Sequence, residues 1–189
     1  MKTVLPVVAF LLLVPCLLAN IELTAECTAT TFYECGIQIG AQMKKPIAES
    51  VAAYSELIHW SATSGKDVFS ELVKINGNAF PDVLDEYKGI AHGAGVDVQS
   101  ILVTALSTEL SYFAGQEQGA MVRAPQAKSC SDFHVLHDGI SRWGHNEDET
   151  ADQAAITYLV RGNVSGEVWI GFAYAPQVLV PSPPSSLPT

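Results

Sequence analysis

An α+β fold, helical first and sheet-forming second, is what this 189-residue sequence predicts. Apolar residues recur at helical spacing through Leu106, an Asp-Gly pair separates two strand-like runs after Pro125, and alternating strand-helix-strand units are not visible.

The elements follow in order. Pro46 suits a first helical turn, and Ile47, Val51, Tyr54 and Ile58 come after it at helical spacing, so an amphipathic helix is expected to about Trp60. A second helix carries Val68, Leu72 and Ile75 and is expected to break at Asn76-Gly77-Asn78. Pro81 to Lys88 reads as a short third helix, and Gly93 and Gly95 mark a loop. Asp97 is placed to cap a helix holding Val98, Ile101, Leu102, Ala105 and Leu106. The first part is thus expected to be helical over 26–129. Beyond Pro125, Cys130 to Leu136 and Ile140 to Asn146 flank His137-Asp138-Gly139, and glycine accepts the positive φ that a tight hairpin needs. Further strands are expected at Ala155 to Val160 and Val168 to Tyr174, separated by Gly162 and Asn163-Val164-Ser165. The sheet therefore begins within 130–177, and 178–189 form a Pro/Ser-rich tail.

Composition narrows the function classes. The chain is 48% hydrophobic and 16% charged, which is enough apolar material for one packed core. Twenty acidic against ten basic residues give a formal net charge of −10, without a basic stripe, so nucleic-acid partners are not expected. Neither a Gly-rich dinucleotide fingerprint nor a P-loop is present, and no cofactor or metal is implied.

Lys2 followed by an apolar run from Val4 to Leu18, broken by Pro6 and Pro15, reads as a signal peptide over 1–19 rather than a stable membrane span. Cleavage is expected after Ala19 or Ala25. The chain is expected to be secreted or held in the lumen of the secretory or lysosomal route, where Asn163-Val164-Ser165 is a glycosylation sequon. Loss of the leader removes Cys16 and leaves Cys27, Cys35 and Cys130. Cys27 and Cys35 are close enough in sequence to bridge, which makes Cys130 the odd thiol. A buried, inert cysteine is the plain reading of it.

Thiol, imidazole, amide and carboxylate groups crowd the segment from Ser129-Cys130 to Glu149. Such density fits a solvated acidic hairpin, or nucleophilic catalysis by Cys130. A metal site built from His134, His137 and His145 is disfavoured, because strand alternation puts His134 and His137 on opposite faces.

A cysteine that opens a strand, then a hairpin, then G-H-N-E-D at 144–148 resembles the peptidase C45 family, in which a nucleophilic cysteine precedes a G-x-N-x-D motif. The stretch F-Y-E-C-G-I-Q-I-G at 32–40 is similar to the family's Y-E-x-G-x-x-x-G, and G-I-A-H-G-A-G-V-D at 89–97 is similar to its G-I-A-E-G-A-G segment. Ser129 stands where the family's penicillin acyltransferases have Gly, and Glu147 where they have an aromatic residue.

The resemblance implies an N-terminal-nucleophile (Ntn) hydrolase with an αββα sandwich, of which this chain holds only the start and is incomplete at its C-terminus. It implies self-cleavage between Ser129 and Cys130, into subunits that stay associated. Cys130 would then be nucleophile and, through its new α-amine, base, with Asn146 and Asp148 as the motif positions and Asp148 in an orienting role. Implied substrates are small N-acyl amines or acyl thioesters. The family's downstream oxyanion-hole Asn and substrate-contacting Arg find no counterpart, so the alternative expectation is a catalytically inactive, secreted binding or decoy form.

Overall fold

The computed structural model describes residues 24–117, 131–137, 140–146 and 156–176. Among them the chain is α+β. Strand β1 (Thr24–Ala29) is followed by seven helices: α1 (Phe32–Gln42), α2 (Lys44–Ala53), α3 (Ser55–Ala62), α4 (Lys66–Ala79), α5 (Pro81–Ala94), α6 (Val98–Ala105) and α7 (Ser107–Glu117). Strands β2 (Ser131–His137), β3 (Ile140–Asn146), β4 (Thr157–Val164) and β5 (Glu167–Tyr174) complete the order.

Local chemistry explains several helix ends. Thr31 caps α1 by accepting from the Glu34 N–H at 3.2 Å. The Glu34 carboxylate reaches back to the Thr30 hydroxyl at 2.7 Å and the Thr30 N–H at 3.0 Å, and these bonds hold its pKa below the usual carboxylate range. Asp97 caps α6 by accepting from the Gln99 N–H at 3.1 Å, as its position predicts. Pro81 opens α5, and Gly95, with φ 75°, closes it in the left-handed region.

Several boundaries differ from expectation. The helix expected from Pro46 to Trp60 divides at Tyr54 into α2 and α3. Helix α4 continues through Asn76-Gly77-Asn78, where the Asn76 side chain donates to the Leu72 carbonyl at 2.9 Å along its own helix. Helix α5 runs past Lys88 and Gly93 to Ala94. Gly162 lies inside β4 rather than between strands, and the turn falls at Ser165-Gly166, where both φ values are positive (52° and 93°).

The largest correction is β1, a strand inside the part expected to be helical. It pairs in parallel with β4, from Thr24↔Leu159 to Ala29↔Val164, and β5 pairs antiparallel on the other side of β4. Its buried residues, Ala25 and Cys27, alternate with exposed ones. That period-two pattern is only six residues long, which is why it escapes notice in the sequence.

Helix α1 closes the outer edge of β1. Gln42 accepts from the Glu26 N–H at 3.1 Å and donates to the Glu26 carbonyl at 2.7 Å, and Gln38 does the same to Thr28 at 3.0 and 2.9 Å. Two amides one helical turn apart thus occupy the backbone groups of the outer edge of the described sheet. The Cys27–Cys35 disulfide, Cα–Cα 5.1 Å, ties β1 to α1 as the cysteine arithmetic predicts. It is a bond of oxidising compartments.

Helices α1 and α5 meet backbone to backbone. Gly36 and Gly40 on α1 face Gly89 and Gly93 on α5. A Cβ on Gly36 would overlap the Glu86 carbonyl oxygen and stand 2.9 Å from the Ile90 nitrogen, and one on Gly93 would overlap the Ile37 carbonyl oxygen and stand 2.9 Å from the Ala41 nitrogen. Each glycine costs about 1 kcal/mol of helix propensity, a loss offset by the approach it permits. Ile39, Ile90, Ile101 and Tyr158 fill the core beneath, all fully buried. A smaller cluster gathers Trp60, Val103 and Leu110.

Gly36→Ala or Gly93→Ala is expected to lower stability by about 1–3 kcal/mol through overpacking, measured as a shift in the denaturation midpoint. The mature N-terminus is expected at Asn20. A cut after Ala25 would strip β1 of a residue buried against Val160's strand, so N-terminal sequencing of secreted protein that began at Glu26 would contradict the strand.

Candidate functional site

The expected catalytic segment is described in part. Ser129, Cys130 and Asp148 lie outside the described residues, as do Asp138 and Gly139. Strands β2 and β3 pair antiparallel from Ser131↔Asn146 through Asp132↔His145 and Phe133↔Gly144 to His137↔Ile140. Strand β2 runs one residue past the expected end at Leu136, so His137 pairs with Ile140 and two residues remain between the strands where three were expected. The register sets Asn146 directly across from Ser131, the residue that follows Cys130. His134 and His137 are exposed. Among the described residues no group of three or more His, Cys, Asp and Glu side chains is arranged to hold a metal ion.

Two of the three segments that carry the family resemblance come together. Residues 32–40 form most of α1, residues 89–97 the end of α5 and its cap, and the four facing glycines belong to these segments. At the surface of the same contact Tyr33 Oη and His92 Nδ1 lie 2.8 Å apart. These motif positions therefore serve helix packing.

Beside the glycine contact lies a group that the sequence reading does not single out. Glu86, one turn before Ile90 on α5, is fully buried, and among the described residues neither carboxyl oxygen has a hydrogen-bond partner. Burial pushes its pKa from 4.5 to about 8, so it sits in the core as a neutral acid at neutral pH. Tyr158 of β4 is equally buried, and its phenol is pushed upward by burial first, then by Glu86 and Tyr87. A signal exists in retrospect. Glu86, Gly89, Ile90 and Gly93 follow at helical spacing, so an acid interrupts a stripe of glycine and isoleucine. Ending α5 at Lys88 hides that stripe.

Compared with models of known protein families and with curated protein sequences, the chain matches none.

The buried acid fixes a pH dependence. Below pH 4.5 folded and unfolded chains both keep the Glu86 proton, and between 4.5 and about 8 only the folded chain does. Stability is therefore expected to fall as pH rises through that window, by on the order of 3 kcal/mol between pH 4.5 and 7. Glu86→Gln should flatten the slope. Urea denaturation at several pH values checks this, and identical slopes in both proteins would contradict it.

Proposed function

We propose that the chain is a self-cleaving cysteine amidohydrolase or acyltransferase of the secretory route, acting on amide or thioester bonds of small N-acyl amines, with Cys130 as nucleophile. The hairpin register carries this reading. In a chain whose G-H-N-E-D run begins on β3, the register sets the motif's Asn146 position across from Ser131, the residue next to Cys130 in sequence. The Cys27–Cys35 bond supports it further, because it uses two of the three cysteines left after the leader and leaves the thiol of Cys130 over.

Self-cleavage begins with attack of the Cys130 thiol on the Ser129 carbonyl carbon. The acyl group passes from the Cys130 nitrogen to its sulfur, and water hydrolyses the resulting thioester. Ser129 leaves with a carboxylate, and Cys130 gains a free α-amine. An α-amine titrates near about 7.7–8.0, well below lysine, and so accepts the thiol proton near neutral pH without a separate histidine. In turnover the thiolate attacks the substrate carbonyl, Asn146 donates to the developing oxyanion, and Asp148 holds the α-amine by a charge-assisted hydrogen bond. The tetrahedral intermediate collapses with loss of the substrate's amine or thiol, which takes the proton held by the α-ammonium. Water or an acceptor amine, giving a proton to the freed α-amine, then takes the acyl group from the Cys130 sulfur.

The sheet gives a reason for the two fragments to remain together. Strand β1 precedes the proposed cut and β4 follows it, yet the two pair over six residues. Buried Tyr158 and Val160 of β4 share a core with Ile39 of α1 and Ile90 of α5.

Cys130→Ala is expected to abolish self-cleavage and amide hydrolysis, and Cys130→Ser to retain slow cleavage because a hydroxyl still attacks. Mass spectrometry of the secreted protein should find a fragment beginning at Cys130 that co-elutes with the N-terminal fragment under native conditions and separates from it in denaturant once reduced. Unchanged turnover by the alanine variant would sink the nucleophile assignment.

A further inference from the structure

The sheet face turned away from α1 and α5 carries an apolar stripe on β5. Cross-strand register sets Asn163 beside Val168, Arg161 beside Ile170 and Leu159 beside Phe172. Val168 is 66% exposed and Ile170 73%. In the described sheet β5 is an edge, and bare apolar side chains along an edge strand favour self-association.

Asn163 stands at the head of that face, between Thr28 of β1 and Val168 of β5. A recess of about 200 Å³ adjoins it, lined in part by Glu26, Thr28, Arg161 and Val168. Asn163 Oδ1 accepts from the Gly166 N–H at 3.1 Å and so braces the β4–β5 turn, while no bond engages its Nδ2 among the described residues. An N-linked sugar attaches at Nδ2, and the resulting secondary amide keeps its carbonyl. The brace to Gly166 therefore survives modification. Ser165 is placed differently. Its hydroxyl donates to the Thr30 carbonyl at 2.9 Å, and its φ is 52°. The sequon hydroxyl is thus occupied in the folded turn, so sugar addition belongs to the stage before the turn closes.

We propose that Asn163 carries an N-linked oligosaccharide whose first sugars lie over Val168 and Ile170 and keep this sheet face from self-association. In the covalent step Nδ2 bonds to the anomeric carbon of a lipid-pyrophosphate-linked oligosaccharide. The donor's C1–O bond breaks, the pyrophosphate leaves with its electron pair, and the amide gives up one proton. This inference rests on the secretory part of the proposed function and is independent of the chemistry of Cys130.

The test uses the whole protein secreted from cultured eukaryotic cells. Peptide mass spectrometry reads the occupancy of Asn163. Treatment of the folded protein with a peptide N-glycosidase then removes the sugar and leaves an aspartate, which still offers Gly166 an acceptor. Occupied Asn163 is expected, and stripping should raise hydrophobic-dye binding about twofold or more and shift sedimentation toward dimers and larger species. A Val168→Thr/Ile170→Thr variant, stripped in the same way, should stay monomeric. Secreted protein with a bare Asn163, or stripped protein that remains monomeric with unchanged dye binding, overturns the proposal and leaves the secretory reading standing. Protein retained in the cytosol with Cys27 and Cys35 as free thiols overturns both.

Discussion

The backbone contact between α1 and α5 is the constraint on which the rest of the structure depends. Four glycines let two helices approach until the carbonyls of one meet the Cα positions of the other, a separation no larger residue permits. With α5 that close, Ile39 and Ile90 interlock above Tyr158 and Val160. Helix α1 is held in turn to β1 by the Cys27–Cys35 bond and by the paired amides of Gln38 and Gln42. One helix pair therefore positions the sheet.

The same closeness confines Glu86. A carboxyl on that face of α5 has nowhere to reach water, and ionising it there would bury an uncompensated charge. The chain keeps the proton instead. Acidic surroundings therefore favour the folded state through this one side chain. A polar group retained at such a cost, next to Tyr158, marks the centre of the molecule as a place where composition alone misleads.

The proposed self-cleavage fits the topology. A parallel neighbour must be reached by a long crossover, and here the chain between β1 and β4 includes the Ser129-Cys130 bond. Cutting a crossover leaves both strands in place. The N-terminal part supplies β1 and the glycine-packed helices, the C-terminal part supplies β4 and β5, and neither keeps a covered core without the other.

Signals confined to a few residues were legible in the sequence by itself: the Asp97 cap, Pro81 at a helix start, the hairpin of β2 and β3 to within a residue, strand β5 and the pairing of Cys27 with Cys35. Each depends on backbone conformation or proximity along the chain, which local residue types dictate. The candidate site was legible in the same way, as a cluster around Cys130 together with a resemblance, and the described residues add to it the register that pairs Asn146 with Ser131. Tertiary structure alone decided that β1 is a strand, that α4 and α5 run through their glycines, and that Glu86 is buried. The reason is physical. A short alternating run becomes a strand only when a distant one pairs with it, and a glycine that weakens an isolated helix is accommodated where it meets a neighbour, the Leu84 side chain at Gly77 of α4 and the α1 backbone at Gly89 and Gly93 of α5. A glutamate is neutral only when its neighbours shut out water.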